Sequence, residues 1–152
     1  MSNDDQLKVR QTVSKKKSFK ELTIVRDIIF WIDLVGEGQN ENAIFARPFN
    51  KKEAFPQKLT SKKYNIKNNF HGYGGKSYKC IYLKNNFYLI WIDQITNAVW
   101  FQIFKEVASN YRSQKRYLDS VQEPRQLSKS IDGNFDSCLL YTSDAADELL
   151  CV

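Results

Sequence analysis

A chain of 152 residues has the length of one domain, and its 42% hydrophobic and 14% aromatic content is too high for disorder throughout. No apolar run approaches the ~18 residues a membrane helix needs, and Met1-Ser2-Asn3-Asp4-Asp5 lacks the apolar segment of a secretory leader, so a cytoplasmic protein is expected. The formal net charge is +6, from 23 basic and 17 acidic residues, and suits either a nucleic-acid surface or a solvated one.

The basic residues cluster at 8–20, 51–67 and 112–116, with no recognition-module pattern beside them. Residues 1–17 read as a basic lead-in. Two strands are expected at 21–25 and 28–33, turning at Arg26-Asp27. A glycine-bearing loop, Gly36-Glu37-Gly38-Gln39-Asn40, precedes a third strand at 42–49, with Pro48 near its end, where a missing N–H does least harm. Residues 51–56 turn the chain and 57–60 form a short outer strand. After a crossing at 61–69, the glycine turn His71-Gly72-Tyr73-Gly74-Gly75 opens three apolar runs at 77–83, 87–93 and 98–104. They are rich in Tyr, Ile, Phe, Trp and Val, which suit a pleated, half-buried surface, and Lys84-Asn85-Asn86 and residues 94–97 suit the turns between them.

The two halves share three elements in the same order. Phe30-Trp31-Ile32-Asp33 matches Ile90-Trp91-Ile92-Asp93, and Asn42-Ala43-Ile44-Phe45 matches Asn97-Ala98-Val99-Trp100. Pro56-Gln57-Lys58-Leu59-Thr60 matches Pro124-Arg125-Gln126-Leu127-Ser128. One β unit used twice is the economical reading, and repeated four-stranded meanders are the signature of propeller blades. The expected fold is therefore all-β: a partial β-propeller of about two antiparallel four-stranded blades, at 18–60 and 61–130. Residues 105–122 read as a long loop of the second blade, with room for a short helix at Tyr111, Leu118 and Val121. Residues 131–137, with Asp132-Gly133-Asn134, read as the entry to a truncated third blade.

Residues 138–152 break character. The run from Cys138 to Glu148 has no lysine and back-translates without strain to a string resembling the transposase adapter of a sequencing library. The expectation is that natural sequence stops near Ser137; the alternative is a natural amphipathic tail with Ser143 as a helix N-cap. The cysteines, Cys80, Cys138 and Cys151, show neither metal-ligand nor disulfide spacing and point to a reducing compartment.

The segment Asn69-Phe70-His71-Gly72-Tyr73-Gly74-Gly75-Lys76-Ser77-Tyr78 resembles the V-H-E-Y-G-G-G-x-Y segment of the prolyl oligopeptidase family, dipeptidyl-aminopeptidase and acylaminoacyl-peptidase-like members in particular. Ile29-Phe30-Trp31-Ile32-Asp33 resembles their L-x-W-x-E strand, and Pro124-Arg125-Gln126-Leu127-Ser128 their P-x-x-L-T blade ending. The resemblance runs from about Phe19 to Asn134. It implies a propeller that gates peptide access to an α/β-hydrolase domain carrying Ser, Asp and His, of which this chain would be the first part. Its partners would be that missing domain, the remaining blades and the parent's peptide substrates. Gly72 stands where the family pattern has Glu, so no role of that carboxylate carries over.

The residues themselves assign no catalytic, cofactor-binding or metal site. No G-x-S-x-G occurs, and His71 is the only histidine, so the chain should be inactive even if its parent is a serine peptidase. His71 reads as structural rather than as a base. Gly72, Gly74 and Gly75 read as a tight turn rather than a phosphate cradle, since no P-loop ending follows. Glu37 and Glu41 read as solvated acids rather than an acid–base pair. Trp31, Trp91 and Trp100 read as inter-blade core rather than a platform for stacked bases, and Cys80 as a buried small hydrophobe. A second reading of the whole is a standalone basic β module that binds nucleic acid or a protein partner. Two blades cannot close a ring, so an apolar face of several hundred Å2, worth ~25 cal/mol per Å2, stays uncovered and the isolated chain should be unstable or aggregate.

Overall fold

The computed structural model describes residues 19–36, 40–67, 75–108 and 115–128. The lead-in at 1–17, Glu37, His71, Gly72, Gly74, Tyr111, the third-blade entry at 131–137 and the tail at 138–152 lie outside them. Nine strands are described: β1 (Lys20–Val25), β2 (Ile28–Val35), β3 (Glu41–Pro48), β4 (Gln57–Lys58), β5 (Tyr78–Leu83), β6 (Asn86–Asp93), β7 (Ala98–Glu106), β8 (Leu118–Ser120) and β9 (Arg125–Gln126). They form two antiparallel sheets. The first has the order β1-β2-β3-β4; the second runs β5-β6-β7-β8, with β9 also on β7. No described helix is long and apolar enough to cross a membrane.

Turn chemistry sets the hairpins. Arg26 (φ 55°) closes β1 onto β2, and Lys84 (φ 47°) with Asn85 (φ 61°) closes β5 onto β6. Positive φ at both central residues, Lys84 and Asn85, gives the second hairpin a two-residue turn whose twist matches that of the strands it joins, while the first has positive φ at Arg26. The register then repeats between sheets. Trp31 faces Phe45, Ile32 faces Ile44 and Asp33 faces Ala43; Trp91 faces Trp100, Ile92 faces Val99 and Asp93 faces Ala98. Every one of these pairs is related by the sequence repeat.

The outer strands repeat as well. Leu59 N–H donates to Ile44 O at 2.8 Å, and Leu127 N–H donates to Val99 O at 2.8 Å. One rung further the backbone has left the ladder and a hydroxyl replaces the carbonyl. Thr60 Oγ1 accepts Ile44 N–H at 3.0 Å, and Ser128 Oγ accepts Val99 N–H at 2.9 Å. A buried N–H must find an acceptor, which accounts for the Thr and Ser that close the two matching pentapeptides.

Two expectations need correction. The second sheet has five strands, because part of the segment read as a long loop with a helix is strand β8. At nine residues β7 outruns β3 by one and presents further backbone groups. Leu118 and Ser120 pair with Glu106 and Phe104, and Val121 N–H donates to Ile103 O at 2.8 Å. Burial of Tyr117 and Leu118, both 1% exposed, fixes that return strand. The tryptophans also do not share one environment. Trp91 and Trp100 belong to the core between the sheets, whereas Trp31 stacks on Phe45 at 5.9 Å on the first sheet's other face, against Phe19 at 5.6 Å.

One core joins the sheets. From the first come Ile28, Phe30, Ile32, Ile44 and Ala46; from the second Tyr78, Cys80, Phe87, Leu89, Trp91 and Phe104. Phe30 meets Phe87 at 5.8 Å across the seam. Side chains alternate along a strand, so the first sheet contributes the even positions of β2 and the second the odd positions of β6. Through the repeat, Phe30 corresponds to Ile90, not to Phe87 or Leu89. The seam therefore joins opposite faces of two like sheets, stacked in the same sense.

Candidate functional site: the cleft between the sheets

A cavity of about 360 Å3 opens at one end of the seam, beside the start of β1 and the entry to β5. Lys20 and Glu21 come from β1, Asn40 and Asn42 from the entry to β3, Lys67 from the crossing segment and Ser77 from the entry to β5. Its floor is Ile32, Leu34 and Ile66. The volume falls within the range of roughly 300–1,000 Å3 typical of small-ligand sites.

Glu21 shapes this cleft. The β1–β2 register slips between Lys20 and Thr23, and Glu21 there takes φ 52°, unusual for a residue with a side chain. The bulge turns its carboxylate to the second sheet, where Oε2 accepts Ser77 N–H at 2.6 Å and Oε1 accepts Ser77 Oγ–H at 2.7 Å. Tyr78 Oη donates to Glu21 O at 2.7 Å. A strained residue persists only where its surroundings hold it, and here three hydrogen bonds to Ser77 and Tyr78 do so. Burial pushes the Tyr78 phenol far above its ordinary 10.0, so it remains a donor at any physiological pH.

Asn65 makes the second link. Its Oδ1 accepts Asn42 N–H at 3.0 Å and Asn42 Nδ2–H at 2.9 Å, while its own N–H donates to Asp93 Oδ1 at 2.8 Å. Asp93 is fully buried and also accepts Ile95 N–H at 3.3 Å, Thr96 N–H at 2.9 Å and Thr96 Oγ1–H at 2.6 Å. Its counterpart Asp33 accepts Leu34 N–H at 2.8 Å. Gln57 makes the third link, at the outer edge. Its Nε2–H donates to Leu118 O at 2.7 Å, and its Oε1 accepts Tyr117 N–H at 2.7 Å and Leu118 N–H at 3.0 Å. Polar bridges thus fasten the seam at its inner strands, its centre and its outer strands.

Lys20 and Lys67 bring ammonium groups and Asn40 an amide to the cleft wall, while the Asn42 amide is already held by Asn65. Ser77 Oγ–H is committed to Glu21 and the residue is 5% exposed, so it is a structural donor. Cys80 is 5% exposed, and burial pushes its thiol from 9.0 up to about 12, which keeps it a neutral core residue as the sequence suggests. Glu41, the described member of the Glu37–Glu41 pair, begins β3. Among the described residues no cluster of three or more His, Cys, Asp or Glu side chains has the arrangement of a metal site.

Comparison with models of protein families, with curated proteins and with solved structures found no match.

Sequence reasoning did not find Glu21, Gln57 or Asn65. Only Gln57 carried a signal. It occupies a repeat position where the second unit has Arg125, so the two units differ there in kind. Glu21 and Asn65 act through partners 56 and 28 residues away and leave no local pattern.

Proposed function

We propose that this chain is the opening part of a β-propeller belonging to a serine peptidase of the prolyl oligopeptidase type, in which the sheets gate peptide access to a hydrolase domain outside this sequence. One observation carries the reading. Two sheets of the same repeat pack through opposite faces, so each contact leaves a further equivalent face available, as successive blades of a ring require. A sandwich joined by its equivalent faces would use that surface up. The inner strands β1 and β5 adjoin at Glu21 and Ser77, and the cleft opens beside them, where the passage of a closed ring would run. Its ammonium and amide groups suit passing peptide.

Sequencing the gene past the codon for Ser137 tests this. The expected result is further sheets of the same repeat, followed by a G-x-S-x-G in the same frame, and peptidase activity on short peptides in the expressed whole. A natural stop soon after residue 137, with binding to nucleic acid that weakens steeply with salt, would overturn it in favour of the basic β module.

A further inference from the structure

The two outward faces of this molecule match. On the second sheet, the face away from the seam carries Tyr88 opposite Ile103, Ile90 opposite Phe101 and Ile92 opposite Val99. Ile81, Leu83, Val121 and Leu127 extend it and are 44%, 56%, 51% and 55% exposed. Through the repeat, Ile90, Ile92 and Val99 correspond to Phe30, Ile32 and Ile44, which the first sheet buries in the seam. Ile81 corresponds to Val25 and Leu127 to Leu59, both packed against that core. On the first sheet, the outward face carries Leu22 and Ile24, 54% and 53% exposed, with Ile29, Trp31 and Phe45 beside them. Their counterparts are Tyr78, Cys80, Leu89, Trp91 and Trp100, the second sheet's half of the seam.

Ile92, Val99 and Trp31 are already covered within the chain, at 5%, 2% and 4% exposure; the remaining outward residues display the counterparts of both halves of the internal interface, one on each outward side. We infer that the occupant of the second sheet's outward face is a second copy of this chain, seated by the outward face of its first sheet in the way the second sheet is seated on the first. Such a contact is heterologous, and its rotation repeats at every step, so copies add head to tail until a ring closes. Propellers close at four to eight sheets; two sheets per chain give closed assemblies of roughly two to four copies. Apolar exposure on this scale seldom stays bare in water, and this arrangement covers both outward faces through contacts the chain already makes internally. The inference rests on the same pairing of faces as the propeller reading but fails separately, because it concerns the 152-residue chain and not its parent gene.

Light scattering after size-exclusion chromatography, on the intact chain and two double variants, tests it. Leu22→Asp with Ile24→Asp charges one outward face, and Ile81→Asp with Leu127→Asp charges the other. All four positions are solvent-exposed, and far-UV circular dichroism checks that strand content survives. The intact chain is expected at a discrete mass, roughly two to four times its own 17.8 kDa. Each double variant is expected as a monomer, and an equimolar mixture of the two as a 1:1 heterodimer, since one intact face of each kind remains. A monomeric intact chain, open-ended growth, or a mixture that stays monomeric overturns the inference. Further sheets in the parent gene, with a monomeric chain here, would leave the propeller reading standing and this one refuted.

Discussion

The two sheets carry one pattern in two environments. Asp93 is fully buried with four donors on its carboxylate, while its counterpart Asp33 is half-buried and accepts Leu34 N–H. Leu89 is fully buried in the seam, and its counterpart Ile29 is half-buried on an outward face. Position in the stack, more than residue type, decides what each repeated residue contributes. The energetics of the two sheets should differ accordingly, although the β2–β3 and β6–β7 registers agree.

The widest gap is expected at the aspartates. Asp93→Ala removes a fully buried carboxylate that accepts from Asn65, Ile95 and Thr96 and should cost about 3 kcal/mol, against under ~1 kcal/mol for Asp33→Ala, in urea denaturation. Asp93→Asn, which keeps an acceptor, should fall between them. At the apolar pair, Leu89→Ala should cost about 3 kcal/mol from lost burial and the cavity left behind. Ile29→Ala should cost about 1 kcal/mol, because Ile29 is only partly buried on an outward face. Equal losses at either pair would show that the sheets are not stacked as described. Gln57→Ala removes three bonds between the outer strands and should cost about 2 kcal/mol. Arg125→Ala, at the corresponding exposed position, should leave the midpoint unmoved.

The smallest effect is a slope in pH. Burial pushes the folded Cys80 thiol from 9.0 up to about 12 and raises the Tyr78 phenol from 10.0 in the same direction. In both cases the unfolded chain loses its proton first. Stability should be flat with respect to these groups below pH 9. It should then fall by up to about 1.4 kcal/mol per pH unit as Cys80 ionises only in the unfolded state, and more steeply above pH 10 as Tyr78 joins it. Cys80→Ala should remove the first part of that fall and leave the second. A melt that keeps its alkaline slope between pH 9 and 10 in Cys80→Ala would refute the assignment.

Much of this fold is legible in the sequence, for a physical reason. Strands β2, β3, β6 and β7 announce themselves through aromatic and β-branched residues, because each is buried on at least one face. The repeat Phe30-Trp31-Ile32-Asp33 and Ile90-Trp91-Ile92-Asp93 carries the register, since side chains that face one another across a pair must fit together. Three things are not legible. Strand β8 spans three residues inside a charged segment, too few for an alternation to register. Which faces meet depends on the stacking of whole sheets, and both faces of β6 are apolar, so the pattern allows either. The cleft is assembled from Lys20, Asn40, Lys67 and Ser77, polar residues scattered along the chain and brought together only by stacking. The glycine turn that carries the family resemblance lies outside the described residues up to Gly74, so the functional reading rests on the stacking.

That stacking is open to direct measurement by side-chain NOEs in a selectively labelled sample. The account predicts cross-peaks from the Phe30 ring to Phe87, 5.8 Å away, and none from Phe30 to Ile90 or Phe101. Cross-peaks from Phe30 to Ile90 and Phe101 would mean that equivalent faces meet, as in a closed sandwich, and would contradict it.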